Sequence, residues 1–213
     1  MRRGDLPWGR TSVLRVNYRN PCRILNFAYA FSHDYFDSHH NQELPLVLPE
    51  ACGEEGDIPD IELCQPEAEE THRVVAWQKE KHTVTDRWGD LAVLCPTRYS
   101  ADRLTVLLEQ HKIPTAISFT SGDKKAFSHR DDVVHVMTFQ SSKGLKFPYV
   151  AVINASFVHR AAEDESEAIP ALYVAFTRAT RLLLATCYKE NSISRQLTKF
   201  SGVDLQEQQD EYA

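Results

Sequence analysis

The sequence predicts an α/β protein: a mostly parallel sheet with helices on both faces. Three observations predict it. Short, continuous apolar runs recur at Leu91–Cys95, Val133–Met137, Tyr149–Ile153 and Leu182–Thr186, the kind of strand that is buried on both faces. Helical patterns alternate with these runs, as in a sheet built from strand–helix–strand units. Polar turns such as Pro96–Ser100 and Thr138–Lys146 stand just past strand ends, where ligand contacts collect in doubly wound sheets.

Taken in order, Val13–Val16 reads as a short strand. Pro21 then opens a helix whose apolar stripe is Ile24, Leu25, Phe27, Ala28 and Phe31. Residues 37–66 are rich in Pro, Gly and acids, an excursion with one apolar run, Leu44–Leu48, that could be a strand. Glu67–Lys81 reads as a helix burying Val74, Val75 and Trp77. After strand Leu91–Cys95, Ser100 is the expected N-cap of a helix reaching about His111, with Leu104, Leu107 and Leu108 on one face. Strands Ile113–Phe119, Val133–Met137 and Tyr149–Ile153 follow, then helix Leu172–Ala179 and strand Leu182–Thr186. One domain over residues 1–203 is expected, with 204–213 an acidic, disordered tail.

The chain has 213 residues and is 42% hydrophobic, enough to bury a core without staples. Its net charge of −6 is unevenly spread. Ten acids and no Lys or Arg lie in residues 43–72, and setting them aside leaves +4. Setting aside the four acids of 204–213 as well leaves +8, a basic body compatible with a phosphate-binding face. The five cysteines are scattered with no C-x-x-C, which predicts reduced thiols and a cytoplasmic protein. The histidines show no metal-ligand spacing, and Asn154-Ala155-Ser156 matches a glycosylation sequon by chance. No apolar run approaches the roughly 20 residues of a membrane span, so no membrane partner is expected.

Three places could carry chemistry. The turn Thr138–Lys146 offers hydroxyls, ammonium groups and the open backbone of Gly144, all suited to phosphate oxygens, though it lacks the G-x-x-x-x-G-K-[ST] spacing of a P-loop. Arg178 stands at the rim of the Leu172–Ala179 face, where a guanidinium can reach an anion; a structural ion pair is the plainer alternative. Asn17-Tyr18-Arg19-Asn20-Pro21 places an aromatic ring beside an arginine at a strand-to-helix junction, equally readable as a capped helix start.

In combination, Asn17-Tyr18-Arg19, the Leu91–Leu94 strand, Thr138-x-x-x-Ser142-Lys143-Gly144-Leu145-x-Phe147 and Leu172-Tyr173-Val174-Ala175-x-Thr177-Arg178-Ala179 resemble the UvrD/Rep family of superfamily 1 helicases. The resemblance is to the second RecA-like motor domain and runs from about Leu14 to Ala185. It implies that Tyr18 stacks on adenine and that Arg19 and Arg178 reach the γ-phosphate. It implies further that Gly144 and Lys146 lie on the nucleotide side, and that Thr97, Thr138, Gln140, Ser142 and Lys143 contact single-stranded DNA. Gln140 replaces the family's histidine. Lys146 replaces its ribose-binding glutamate, and an ammonium has no acceptor.

The large accessory insertion is missing, and so are a Walker A loop and an Asp-Glu strand motif. ATP and Mg²⁺ therefore belong to an intact motor completed by a first RecA-like domain, and neither is expected to bind tightly to this chain alone. The implied activity is ATP-driven, 3′ to 5′ translocation on single-stranded DNA. A non-catalytic nucleic-acid-binding or regulatory module is the alternative. An unrelated doubly wound nucleotide enzyme is a third reading, which no G-x-G-x-x-G supports.

Overall fold

The computed structural model describes residues 16–17, 20–38, 51–52, 54–118, 131–158 and 165–200. Leu44–Leu48, Tyr18, Arg19 and the tail 204–213 lie outside them.

A six-stranded, all-parallel sheet organises the chain. Its strands are β3 (Asp60–Leu63), β4 (Leu91–Cys95), β5 (Thr115–Ile117), β6 (Val134–Thr138), β7 (Phe147–Val152) and β8 (Ala179–Cys187). Their order across the sheet is β3-β8-β7-β4-β6-β5, and every pairing is parallel. A separate parallel pair joins β1 (Val16–Asn17) to β2 (Ala51–Cys52).

The two faces follow from the twofold period of a strand. Ala92, Leu94, Met137, Val150, Val152, Leu183 and Ala185 turn to one side. There they meet helices α1 (Cys22–Ser38), α4 (Ile169–Phe176) and α5 (Ser192–Lys199). Phe27 and Phe31 of α1 close on Phe176 of α4 with ring centroids 5.2 and 5.4 Å apart. The alternate residues, among them Leu91, Val93, Val134, Val136, Ala151 and Leu184, turn to the other side. They meet α2 (Glu67–Thr85) through Val74, Val75 and Trp77, and α3 (Arg98–Gln110) through Ala101, Leu104 and Leu108. Both faces being covered explains why the central strands read as unbroken apolar runs.

Several expectations are corrected. The N-cap of α3 is Thr97, not Ser100: Thr97 Oγ1 accepts from the Ser100 backbone N at 3.1 Å. The helix expected over Leu172–Ala179 spans Ile169–Phe176, so Arg178 lies in the turn after it and Ala179 already opens β8. The expected 37–66 excursion contains edge strand β3, paired to β8 from Asp60↔Leu184 to Leu63↔Cys187. Cys64, Cys95 and Cys187 are free and buried, as expected for reduced thiols. Burial pushes the Cys64 thiol up to about 11 and Cys187 up to about 12. Cys22 departs from that expectation, because it is disulfide-bonded.

Candidate functional site

In a parallel sheet all strands point the same way, so every loop belongs to one of two edges. β7, six residues long, separates these edges by roughly 20 Å at about 3.3 Å per residue. The residues singled out in the sequence divide between them.

At the carboxyl edge, β4 and β6 end side by side, with Cys95 opposite Thr138. The Phe139 backbone N continues the ladder to the Cys95 carbonyl at 3.0 Å. Thr138 folds the next turn onto itself: its Oγ1 accepts from the Ser141 N at 3.1 Å, and Ser141 Oγ accepts from the Thr138 N at 2.8 Å. Gln140, Lys143 and Gly144 project as the exposed rim. Gly144 sits at φ 89°, a conformation that favours glycine. Ser142, by contrast, is fully buried and donates to the Phe139 carbonyl at 2.6 Å, so its hydroxyl closes the turn from inside. Thr97 lies in the neighbouring loop two residues past β4, its hydroxyl engaged with Ser100 Oγ at 2.8 Å.

The amino edge holds the other set, and here the sequence reading needs correcting. Thr138–Lys146 was expected just past a strand end as one loop, yet its last residue immediately precedes β7 at the far edge. The Phe147 N donates to the Arg178 carbonyl at 3.1 Å, which brings Lys146 and Arg178 to one corner. Lys146 Nζ donates to Asn20 Oδ1 at 2.6 Å and to the Thr177 carbonyl at 2.8 Å. Asn20, 2% exposed, donates through Nδ2 to the carbonyls of Thr177 and Ala179 at 3.0 and 2.6 Å. Three separate sequence motifs thus meet at Thr177. The carbonyl of Thr177 terminates α4, where the helix dipole favours a cation.

Arg178 points its fork inward along the same corner. Nε donates to the Val174 carbonyl at 2.8 Å, Nη1 to the Leu145 carbonyl at 3.3 Å and Nη2 to Thr177 Oγ1 at 2.9 Å. All three acceptors are uncharged, and among the described residues no carboxylate pairs with this guanidinium. Burial lowers its pKa from the usual arginine value, with Tyr173 opposing weakly. A half-buried guanidinium that no carboxylate pairs with among the described residues is chemically suited to an anion. Among the described residues no group of three or more His, Cys, Asp and Glu is arranged to hold a metal ion.

Two residues near the carboxyl edge carried no sequence signal. Glu70 of α2 is 1% exposed, its Oε1 accepting from the Asn154 N at 2.8 Å. Burial pushes its carboxyl up to about 7, against the backbone hydrogen bond that lowers it. Asn154 follows β7 with φ 54°. Asn20 and Thr177 were legible as parts of motifs, though no role was assigned to them.

Residues 133–186 match the UvrD-like helicase C-terminal domain. That segment contains β6, the 139–146 connection, β7, α4 and nearly all of β8. The six-stranded parallel sheet with its helices has the RecA-like fold of helicase C-terminal domains. The C-terminal domain of a possible DNA helicase from Lactobacillus plantarum WCFS1 superposes with a TM-score of 0.61 at 17% identity, covering 85% of this chain and 94% of that one. An S. cerevisiae Dbp5 variant bound to RNA and ADP BeF3 superposes with a TM-score of 0.52 at 14% identity. This chain spans about half of that protein: 84% of its own length against 51% of the other's. At such identities the likeness shows the fold. No curated protein sequence matches the chain.

Proposed function

We propose that the chain is the second motor domain of an ATP-dependent DNA helicase or translocase. It presents Arg178, with Tyr18 and Arg19 upstream of α1, to ATP held by a first motor domain. It grips one DNA strand through Thr97, Thr138, Gln140 and Lys143. One observation carries the reading: residues 139–146 run from the exposed turn at the carboxyl edge to Lys146, beside Arg178 at the amino edge. A nucleotide at one edge and a strand at the other would then act on a single short segment.

ATP supplies a phosphoryl group whose charge moves during transfer, and in this reading Arg178 is the residue that meets it. Lys146 and Asn20 hold the Thr177 corner beside which the Arg178 guanidinium lies. Gly144 keeps the connecting segment in a left-handed bend. The hydroxyl of Ser142 braces that bend and does not itself reach the strand. The P-loop, the magnesium ligands and the groups that activate water belong to the partner domain in this reading.

A second reading, a binding or regulatory module that turns over no ATP, is favoured by a specific observation. Lys146 spends its ammonium on Asn20 and Thr177, and each nitrogen of Arg178 already has an acceptor within the chain.

The test pairs ATP turnover with strand binding. The chain should hydrolyse no ATP, with or without single-stranded DNA, and should bind the strand in a salt-sensitive way that Lys143→Ala weakens. Robust turnover lost in Arg178→Ala would overturn the dependence on a partner domain. Strand binding indifferent to Lys143→Ala would remove the turn from the grip.

A further inference from the structure

The residues that return from the acidic excursion fold back on the start of α1, and the motor reading gives them no part. The Cys22 N donates to the Glu54 carbonyl at 2.9 Å, and the Arg23 N donates to the Glu55 carbonyl at 3.1 Å. These are two of the first-turn N–H groups that a helix leaves without an internal partner. Gly56 follows at φ 74°, where a Cβ would collide with the Pro21 ring. Arg23 reaches across to the Glu55 carboxylate. Further upstream β2 pairs with β1, with Cys52 opposite Asn17. Together β2 and residues 54–56 make a strap over the residues that follow Asn20.

The non-covalent hold on this strap is slight. β1 and β2 have two residues each and stand apart from the six-stranded sheet. A pair of strands without further strands beside it is marginal in water. The Arg23–Glu55 ion pair, with side chains 29% and 59% exposed, is of the solvated kind that contributes little.

A covalent bond stands at the same place. Cys22 is disulfide-bonded and only half-buried. The chain has five cysteines; Cys64, Cys95 and Cys187 are free and buried, which leaves Cys52 to pair with Cys22. Burial also raises the Cys64 and Cys187 thiols. That keeps them out of thiol exchange, in which the thiolate is the attacking form.

We propose that a disulfide between Cys22 and Cys52 is a redox-operated clasp on this strap. Closed, it holds β2 and residues 54–56 on the start of α1. A dithiol opens it. One thiolate of the reductant attacks a sulfur of the bond and forms a mixed disulfide, and the reductant's second thiol then displaces the protein sulfur. The chain gains two thiols and the reductant becomes a cyclic disulfide. Oxidised glutathione closes the clasp by two exchanges that release two glutathione thiols. With the clasp open, the first N–H groups of α1 turn to water and the helix start loosens beside Asn20. The rest of α1 stays in place, because Ile24, Phe27 and Phe31 are in the core.

The experiment uses the full chain, equilibrated with oxidised glutathione or with dithiothreitol, and needs neither nucleotide nor DNA. Peptide mapping by mass spectrometry is expected to find Cys22 joined to Cys52 in the first sample. In the second, iodoacetamide should alkylate both. A Glu-specific protease then reports on the strap. Cleavage after Glu54 and Glu55 should be about tenfold faster in the reduced chain, a modest share of what a disulfide across a long loop contributes. Amide exchange at Cys22 and Arg23 should quicken with it. Cys22→Ser and Cys52→Ser should each be cleaved at the reduced rate in either buffer. Cys22 joined to a different cysteine, or no bond in oxidised glutathione, would overturn the proposal. Equal cleavage in the two buffers, or a Cys22→Ser chain that still responds to dithiothreitol, would do the same.

Discussion

The guanidinium of Arg178 is held by Val174, Leu145 and Thr177, so removing it takes away structure as well as charge. Arg178→Ala is expected to lower unfolding stability by about 2 kcal/mol, the scale of charge-assisted hydrogen bonds. Chemical denaturation checks this, and any loss of ATP turnover in an assembled motor must be read against it. Glu70 sets a pH dependence. Its carboxyl is raised from 4.5 to about 7 by burial, so the folded state holds the proton more tightly than the unfolded chain. Stability contributed this way is full below pH 4.5 and is lost as pH rises toward 7. The loss is at most about 3 kcal/mol for a shift of that size. Glu70→Gln should flatten the melting temperature between pH 5 and 8; an unchanged slope would assign the dependence to other groups. Arg178 stood out in the sequence because it belongs to the specific motif Leu172–Ala179. Glu70 was not, because one glutamate in the acid-rich run 43–72 looks like any other until the fold buries it.

At the scale of elements, the sequence located what hydrophobic pattern controls. Leu91–Cys95 was read to the residue because five apolar positions in a row admit only a covered strand. The stripe of α1 was read because Ile24, Phe27, Ala28 and Phe31 share a face. β3 was missed because Asp60-Ile61-Glu62-Leu63 alternates with charge. Its pairing is an edge pairing, steadied by Arg73 Nε donating to both oxygens of Glu62 at 2.8 Å. α5 was missed because it is eight residues of mixed polarity. What fixes it is a capping box: Asn191 Oδ1 accepts from the Ser194 N at 2.9 Å, and Ser194 Oγ accepts from the Asn191 N at 2.8 Å. Asn191 also donates to the Ser156 carbonyl at 2.8 Å, pinning the helix to the loop after β7. Asn191→Ala is therefore expected to cost about 1–2 kcal/mol, measured as a shift in the denaturation midpoint with an unchanged slope. Helix boundaries moved for a similar reason. Thr97, two residues past β4, takes the capping role that the spacing suggested for Ser100.

For the whole molecule, the parallel sheet was legible and the division of its two edges was not. Sequence order places Gln140 and Lys146 six residues apart, while β7 puts them at opposite edges. Only the topology separates the edge that carries Gln140 from the edge that carries Lys146. If the carboxyl edge carries the strand, each phosphate neutralised adds about −0.7 to the slope of log affinity against log salt. Lys143→Ala should make that slope shallower by about that amount, in a titration of a short single strand. An unchanged slope would place Lys143 off the phosphate track. The amino edge has its own economy of parts. Asn20 binds the start of α1 to the corner between α4 and β8, and Lys146 binds the 139–146 segment to the same point. Arg19 and Tyr18 stand one and two positions before Asn20 in the chain, and Arg178 stands one position after Thr177. The two Asn20 hydrogen bonds link the residue after Arg19 directly to the residues on either side of Arg178. The corner is a latch with two pins, the amide of Asn20 and the ammonium of Lys146, and each also holds the other.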